Sequence, residues 1–176
     1  KRLHNWSLTI WHGDHGWHEQ SNEVATELRK WCELKGLNFY CDQTRKEQTN
    51  TEVAARNWRY KYLLKRAIFL STNNNQTPCN HVLTGHTGSD RAETLIMNLA
   101  RGTDLGGLST MRECRRLGEN INLVRPLLGF NRNETALICQ DMRIPIWIDP
   151  SNKNTNLSRN RVRKQVVPIL EDLHPG

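Results

Sequence analysis

The chain has 176 residues, of which 36% are hydrophobic and 24% charged, with a formal net charge of +7 and a mean hydropathy of −0.72. That length suits one domain with a real core, and the basic balance favours a polyanionic partner. No run is long or apolar enough to span a membrane, and no signal peptide is visible.

Arginine outnumbers lysine 17 to 8, and guanidinium forks suit phosphates and RNA edges better than ammonium groups do. The five cysteines, Cys32, Cys41, Cys79, Cys114 and Cys139, are scattered without CxxC spacing. This predicts neither a disulfide framework nor a cysteine zinc site, but reduced thiols in an intracellular protein. The sequence opens on Lys1 rather than Met and enters a strand almost at once, which predicts a chain truncated at its front.

Residues 6–11 (WSLTIW) read as a buried strand rich in β-formers, with His12, Gly13, Asp14, His15 and Gly16 as its carboxyl-end loop. Ser21 is placed to cap a helix over residues 22–35, whose Val24, Ala25, Leu28, Trp31 and Cys32 form an apolar stripe and whose stop is Gly36. Residues 38–41 form a second strand, and strand–helix–strand predicts a parallel unit. Thr49 and Glu52 make a capping box for a helix over residues 52–69. Val53, Tyr60, Leu63, Leu64 and Ala67 share one arc of that helix. Arg56 points into the arc, with Arg59 and Arg66 at its edge. A basic side chain facing a core needs an anionic partner.

Residues 71–80 (STNNNQTPCN) are a polar loop, and the central stretch of the chain follows. Residues 82–111 (VLTGHTGSDRAETLIMNLARGTDLGGLSTM) open with an apolar run, break at Gly85 and present His86 and Asp90 four apart. Ala92, Leu95, Ile96, Leu99 and Ala100 follow the i, i+3, i+4, i+7, i+8 series of one helix face. Asp90, Thr94, Met97 and Arg101 fall opposite, with Glu93 beside them, and Thr87 with Asp90 predicts a helix cap. The strand before this helix is expected to be the third parallel one, and ligands bind at the carboxyl ends of such strands.

Residues 112–120 read as charged connector. In residues 123–128 (LVRPLL), Pro126 predicts an edge strand or an extended loop. Asn131 and Glu134 predict a capped helix to about Met142, and residues 149–152 (DPSN) a turn. Arg159 and Arg163 lie four apart on one helix face, where a basic stripe suits phosphate, and Pro168 ends or kinks that helix.

These blocks carry a resemblance. GHTGSDRAETLIMNLARGTDLGGL resembles the GHxxxDxxET…RGxxxxGL signature of the tRNA(Ile)-lysidine synthases, particularly their cyanobacterial and plastid forms. HxDHG from His12, E-x-x-A-R-x-x-R-Y from Glu52, RPLL from Arg125, and DPSN with the RNRVR run ending at Arg163 resemble further blocks of the same family. The resemblance covers residues 12–176. Thr87 stands where many members have a second His, Asp104 where a Gly is frequent, and His18 where an Arg is usual. The family's phosphate-cradling SGGxDS loop does not occur in the sequence, so the chain is expected to be a fragment or a relative that no longer adenylates.

The resemblance implies an α/β fold with a parallel sheet and helices on both faces, of the adenine-nucleotide α-hydrolase or PP-loop ATPase type. Residues 1–176 would form one incomplete catalytic domain, with residues 150–176 as a basic helical segment. It implies a ligase that uses ATP, with Mg²⁺ held mainly by the nucleotide, to adenylate C2 of a tRNA wobble cytidine, which lysine then attacks. The implied partners are tRNA(Ile) with a CAU anticodon and free lysine, without a membrane and with room for a homodimer. The implied setting is bacterial cytoplasm or plastid stroma.

By the same resemblance His86, Asp90 and Arg56 are the catalytic candidates. His12, Asp14, His15, Arg59 and Gly85 are candidates for the nucleotide, and Arg101, Arg125, Arg159 and Arg163 for RNA. Three other readings fit parts of the pattern: another PP-loop tRNA-modifying enzyme such as a thiolase, a noncatalytic RNA-binding relative, and a metal-dependent hydrolase using His12, Asp14, His15 and His18. No resident metal is expected.

Overall fold

Why the first strand stops where it does is a matter of strand pairing. In a computed structural model, which describes residues 5–17, 21–49, 51–72, 78–108, 111–147 and 158–174, β1 spans Thr9–Asp14. It pairs in parallel with β2, Asn38–Gln43, from Thr9 opposite Asn38 to Asp14 opposite Gln43. The strand therefore runs through His12 and Gly13, which the sequence pattern assigned to a loop, because the ladder with β2 continues past the apolar run. A parallel pair needs a crossover, and α1, Ser21–Leu34, supplies it. Its end is a Schellman motif: the Leu37 N–H bonds the Cys32 carbonyl and the Gly36 N–H that of Glu33, with Gly36 at φ +61°.

Helix α2 spans Glu52–Thr72 and is anchored on Ala55 and Ala67, which are buried. Its cap differs from the expected Thr49–Glu52 box. Thr51 Oγ1 accepts the Ala54 N–H at 3.1 Å, while Thr49, fully buried in a 3-10 turn over Lys46–Thr49, accepts the Trp17 indole N–H instead. Val53 is 68% exposed, so the apolar arc does not hold at its amino end. Arg56 is exposed rather than core-facing and needs no buried carboxylate.

The strand β3, His81–Leu83, belongs to a three-stranded sheet of order β3-β5-β4, not to the β1–β2 pair. The strands β4 (Cys114–Gly118) and β5 (Ile121–Val124) form a hairpin over Glu119 and Asn120. Asn120 takes φ +57°, a left-handed conformation that asparagine tolerates better than most residues. The charged connector is thus a strand: arginines that read as loop in sequence occupy the edge of the sheet. The alternation of β5 buries Ile121 and Leu123. It is the middle strand, and Pro126, which cannot donate to a ladder, sits just beyond it.

Helix α3 spans Gly88–Ala100, α4 Leu105–Leu108 and α5 Arg132–Asp141. Both predicted capping boxes, Thr87 with Asp90 and Asn131 with Glu134, are present in reciprocal form. At the carboxyl end come α6 (Ser158–Arg161), a π turn (Val162–Val166) and α7 (Val167–Leu173). Pro168 stands at the start of α7. It lacks an N–H and crowds the preceding turn, and the Val167 N–H reaches back to the Val162 carbonyl, five residues away. The DPSN turn and His18 lie outside the described residues.

The chain divides into two compact units, residues 1–82 with 116–122 and residues 83–115 with 123–176.

Candidate functional site

In the first unit the candidates gather at the carboxyl end of β1. Asp14 is 5% exposed; its Oδ1 accepts the Gly16 N–H at 2.9 Å and its Oδ2 the Gln43 side-chain amide at 3.2 Å. Gly16, at φ +63°, lets the chain turn there. The His15 ring stacks on Trp17 at 5.2 Å and meets Trp58 edge-on at 4.9 Å; Trp58 in turn packs on Tyr62 at 4.7 Å. Both His15 ring nitrogens are shielded from water, and no hydrogen-bond partner for them stands among the described residues.

Burial, the Arg59 charge and His12 push the His15 pKa down to about 4 against the pull of Asp14. Burial also lowers His12. His15 is therefore a neutral imidazole within an indole pocket, able to give or take one hydrogen bond. Gly13 is required beneath it, because a Cβ there would lie 2.5 Å from the Trp11 ring and 2.8 Å from that of Trp58. A neutral imidazole among stacked rings can receive a planar heterocycle such as the base of a nucleotide. The phosphate end needs a loop of backbone donors, and the SGGxDS sequence that would supply it is not among the 176 residues. No group of three metal-ligating side chains forms among the described residues.

In the second unit the site is electrostatic. Asp90, third residue of α3, accepts from the Thr87 N–H and hydroxyl, both at 2.9 Å, and from Arg132 Nη2 at 3.3 Å. Burial works to raise the Asp90 pKa. The Thr87 hydrogen bonds and the Arg132 and His86 charges outweigh it and hold the pKa below the usual carboxylate value. Asp90 is thus a part-buried carboxylate held ionised by its hydrogen bonds and neighbouring charges, better suited to orienting a cation than to accepting its proton. Thr84 Oγ1 lies 2.9 Å from His86 Nδ1 and fixes the ring. Gly85 is exposed, with open space around it. Gly88 carries the tight approach instead, its N–H on the Phe130 carbonyl at 2.7 Å and its missing Cβ 3.2 Å from two backbone oxygens.

The residue that sequence periodicity missed is Glu93, 1% exposed and the one buried residue of α3. Arg163 grips it with two hydrogen bonds, at 2.6 and 3.1 Å, and Arg159 Nε stands 3.3 Å away while Arg159 Nη2 bonds Thr94 at 2.8 Å. The Glu93 carboxylate raises the Arg163 pKa.

The arginines expected to form an outward basic stripe therefore turn inward onto a buried acid. Arg125 likewise departs from an RNA face: it is 3% exposed and its Nη1 donates to the Arg112 carbonyl at 2.7 Å. Arg101 is exposed at the end of α3. The only signal in sequence for the inward arginines was their spacing of four; their acid partner lies about 70 residues away, a contact that no local pattern encodes.

A parallel βαβ unit with polar groups at the carboxyl end of its first strand is the build of a nucleotide-binding α/β domain. The PP-loop domain matches residues 1–170, and the chain belongs to that family. Among curated relatives, the tRNA(Ile)-lysidine synthase of Prochlorococcus marinus is 53% identical over 175 residues, 99% of this chain and 52% of its own length. The chloroplastic tRNA(Ile)-lysidine synthase of Pyropia yezoensis is 38% identical over 171 residues, 97% of this chain and 50% of its own length. The chain spans about half the length of the curated relatives it matches. In fold it resembles the U34-tRNA thiolase NcsA of Methanococcus maripaludis, with a TM-score of 0.70 at 19% identity over 97% of this chain and 57% of that one. No helix among the described residues is long and apolar enough to cross a membrane.

Proposed function

We propose that the chain is part of an ATP-dependent ligase that converts the wobble cytidine of tRNA(Ile) with a CAU anticodon into lysidine. The observation that carries this reading is identity of 53% along 99% of the chain with a protein of that name. The relatives point to a bacterial cytoplasm or a plastid stroma.

ATP would adenylate the cytidine at C2 with release of pyrophosphate, attack of the lysine amine at C2 would expel AMP, and Mg²⁺ would be held mainly by the nucleotide phosphates. The chain's own residues have separable tasks. His15, neutral in its indole pocket, with His12 and Asp14 at the end of β1, receives the nucleoside end. Arg59 beside His15 and exposed Arg56 compensate phosphate charge. Asp90, kept ionised, orients the lysine ammonium, and His86, fixed by Thr84, stabilises charge on the pyrimidine. Glu93 positions Arg159 and Arg163 rather than meeting the substrate's backbone itself. Arg101 remains the RNA contact among the four arginines first considered.

The test is lysine incorporation into a CAU tRNA by this chain joined to an upstream segment bearing an SGGxDS loop. Incorporation is expected for the parent, and Asp90→Asn is expected to lower it by about 10²-fold while costing the fold only about 1 kcal/mol of cap. No incorporation by the parent overturns the reading. Near-normal incorporation by Asp90→Asn reduces Asp90 to a helix cap.

A further inference from the structure

The two long helices of the first unit differ in charge. Between Ser21 and Leu34, α1 carries three acids (Glu23, Glu27, Glu33) against Arg29 and Lys30. Between Glu52 and Thr72, α2 carries five cations (Arg56, Arg59, Lys61, Lys65, Arg66) against Glu52 alone. Two of the five are accounted for. Arg66 holds Asp42 at 3.0 Å and covers the Tyr40 ring at 4.4 Å, and Arg59 is half-buried near His15.

Arg56, Lys61 and Lys65 are exposed, and no carboxylate among the described residues pairs with them. Their neighbours are rings instead: Arg56 lies over Tyr60 at 5.5 Å and Lys65 over Tyr62 at 5.6 Å. Lys61 and Lys65 stand one turn apart on the helix, where like charges slightly destabilise it. No ion pair among the described residues accounts for the clustering of Lys61 and Lys65. Meanwhile Arg125, Arg159 and Arg163 are committed to internal partners, which leaves Arg101 and other exposed cations, those of α2 among them, to meet backbone phosphates.

We infer that the exposed face of α2 is an RNA-docking surface, on which Lys61 and Lys65 contact the phosphates of the tRNA. This rests on the reading that the chain acts on tRNA and adds to it the surface that holds the RNA. Exposed lysines one helical turn apart suit a phosphate backbone, to which each brings one mobile positive charge. The alternative occupant, an anionic membrane surface, would use the exposed Val53 and Ile68 of the same helix.

The test is titration of the 176-residue chain with a CAU-anticodon tRNA(Ile) transcript at salt concentrations between about 50 and 200 mM. Lys61→Ala with Lys65→Ala is expected to flatten the log–log salt slope by about 1.5 to 2 and to weaken binding roughly tenfold at the low-salt end. Thermal melting should not change, since both side chains are exposed. Lys30→Ala with Lys35→Ala, which removes two exposed lysines at α1, should leave slope and affinity as they were. Parent-like slope and affinity in the α2 variant overturn the surface while leaving the function reading intact. Loss of binding to phosphatidylserine vesicles with tRNA binding untouched overturns it in favour of a membrane. A parent chain with no salt-sensitive tRNA binding at all removes the function reading itself.

Discussion

Arg159 with Arg163, and Lys61 with Lys65, are two pairs of cations spaced four apart, and they meet opposite fates. The first pair turns inward onto Glu93, which is 1% exposed; the second is exposed to water, with no carboxylate partner among the described residues. The spacing is the same, so the spacing cannot be what decides. A carboxylate buried far away in sequence decides it, since leaving such a charge unpaired costs more than ordering two long side chains. The lesson is that a basic stripe in a sequence becomes a binding face only when the fold provides no acid to consume it.

The sharpest break in this comparison is Glu93→Gln. It should remove the main counter-charge of Arg159 and Arg163, leaving Asp90 at 3.9 Å from Arg163, and cost about 3 kcal/mol, at the low end for a buried pair because both arginines keep some contact with water. A denaturant titration measures it. An effect below about 1 kcal/mol would place Glu93 in the same class as a surface acid. Gly13→Ala comes next, because its Cβ would enter the Trp11 and Trp58 rings; a cost of about 1–3 kcal/mol is expected from overpacking.

Acid should separate the two regions by pH window. His15 has a depressed pKa, so the unfolded chain takes up its proton first. Its contribution to stability is complete above the ordinary histidine value of 6.5 and is lost as pH falls from there to about 4. His12 acts in the same direction. Asp90, also depressed, contributes above its ordinary value of 3.8 and loses that contribution only below it. Melting temperature followed against pH should therefore decline first through the His15 window, and His15→Phe should flatten that limb while leaving the lower one. A decline confined to pH below about 4 in the parent would show that His15 is not held neutral. The smallest effect is expected for Lys61→Ala with Lys65→Ala, within about 0.5 kcal/mol of the parent. A larger loss would mean that these lysines have a structural partner.

The sequence by itself determined the elements whose signals are local. The Thr87–Asp90 and Asn131–Glu134 caps, the Gly36 stop and the order β1-α1-β2 all depend on residues within a few positions of one another. The family, too, was legible, because five ordered blocks together are specific where one is not.

Only the tertiary structure decided what depends on distant partners. The β1 ladder with β2 carried the strand through His12 and Gly13, and the β4 arginines became strand because β5 offered them a ladder. Arg56 turned outward, and Thr51 rather than Thr49 capped α2 once Thr49 had been taken by Trp17. Glu93 read as one more polar residue on the outer side of a helix and is instead its most buried one. A carboxylate pays no desolvation penalty it cannot recover when two guanidiniums converge on it, and nothing within α3 announces that they will.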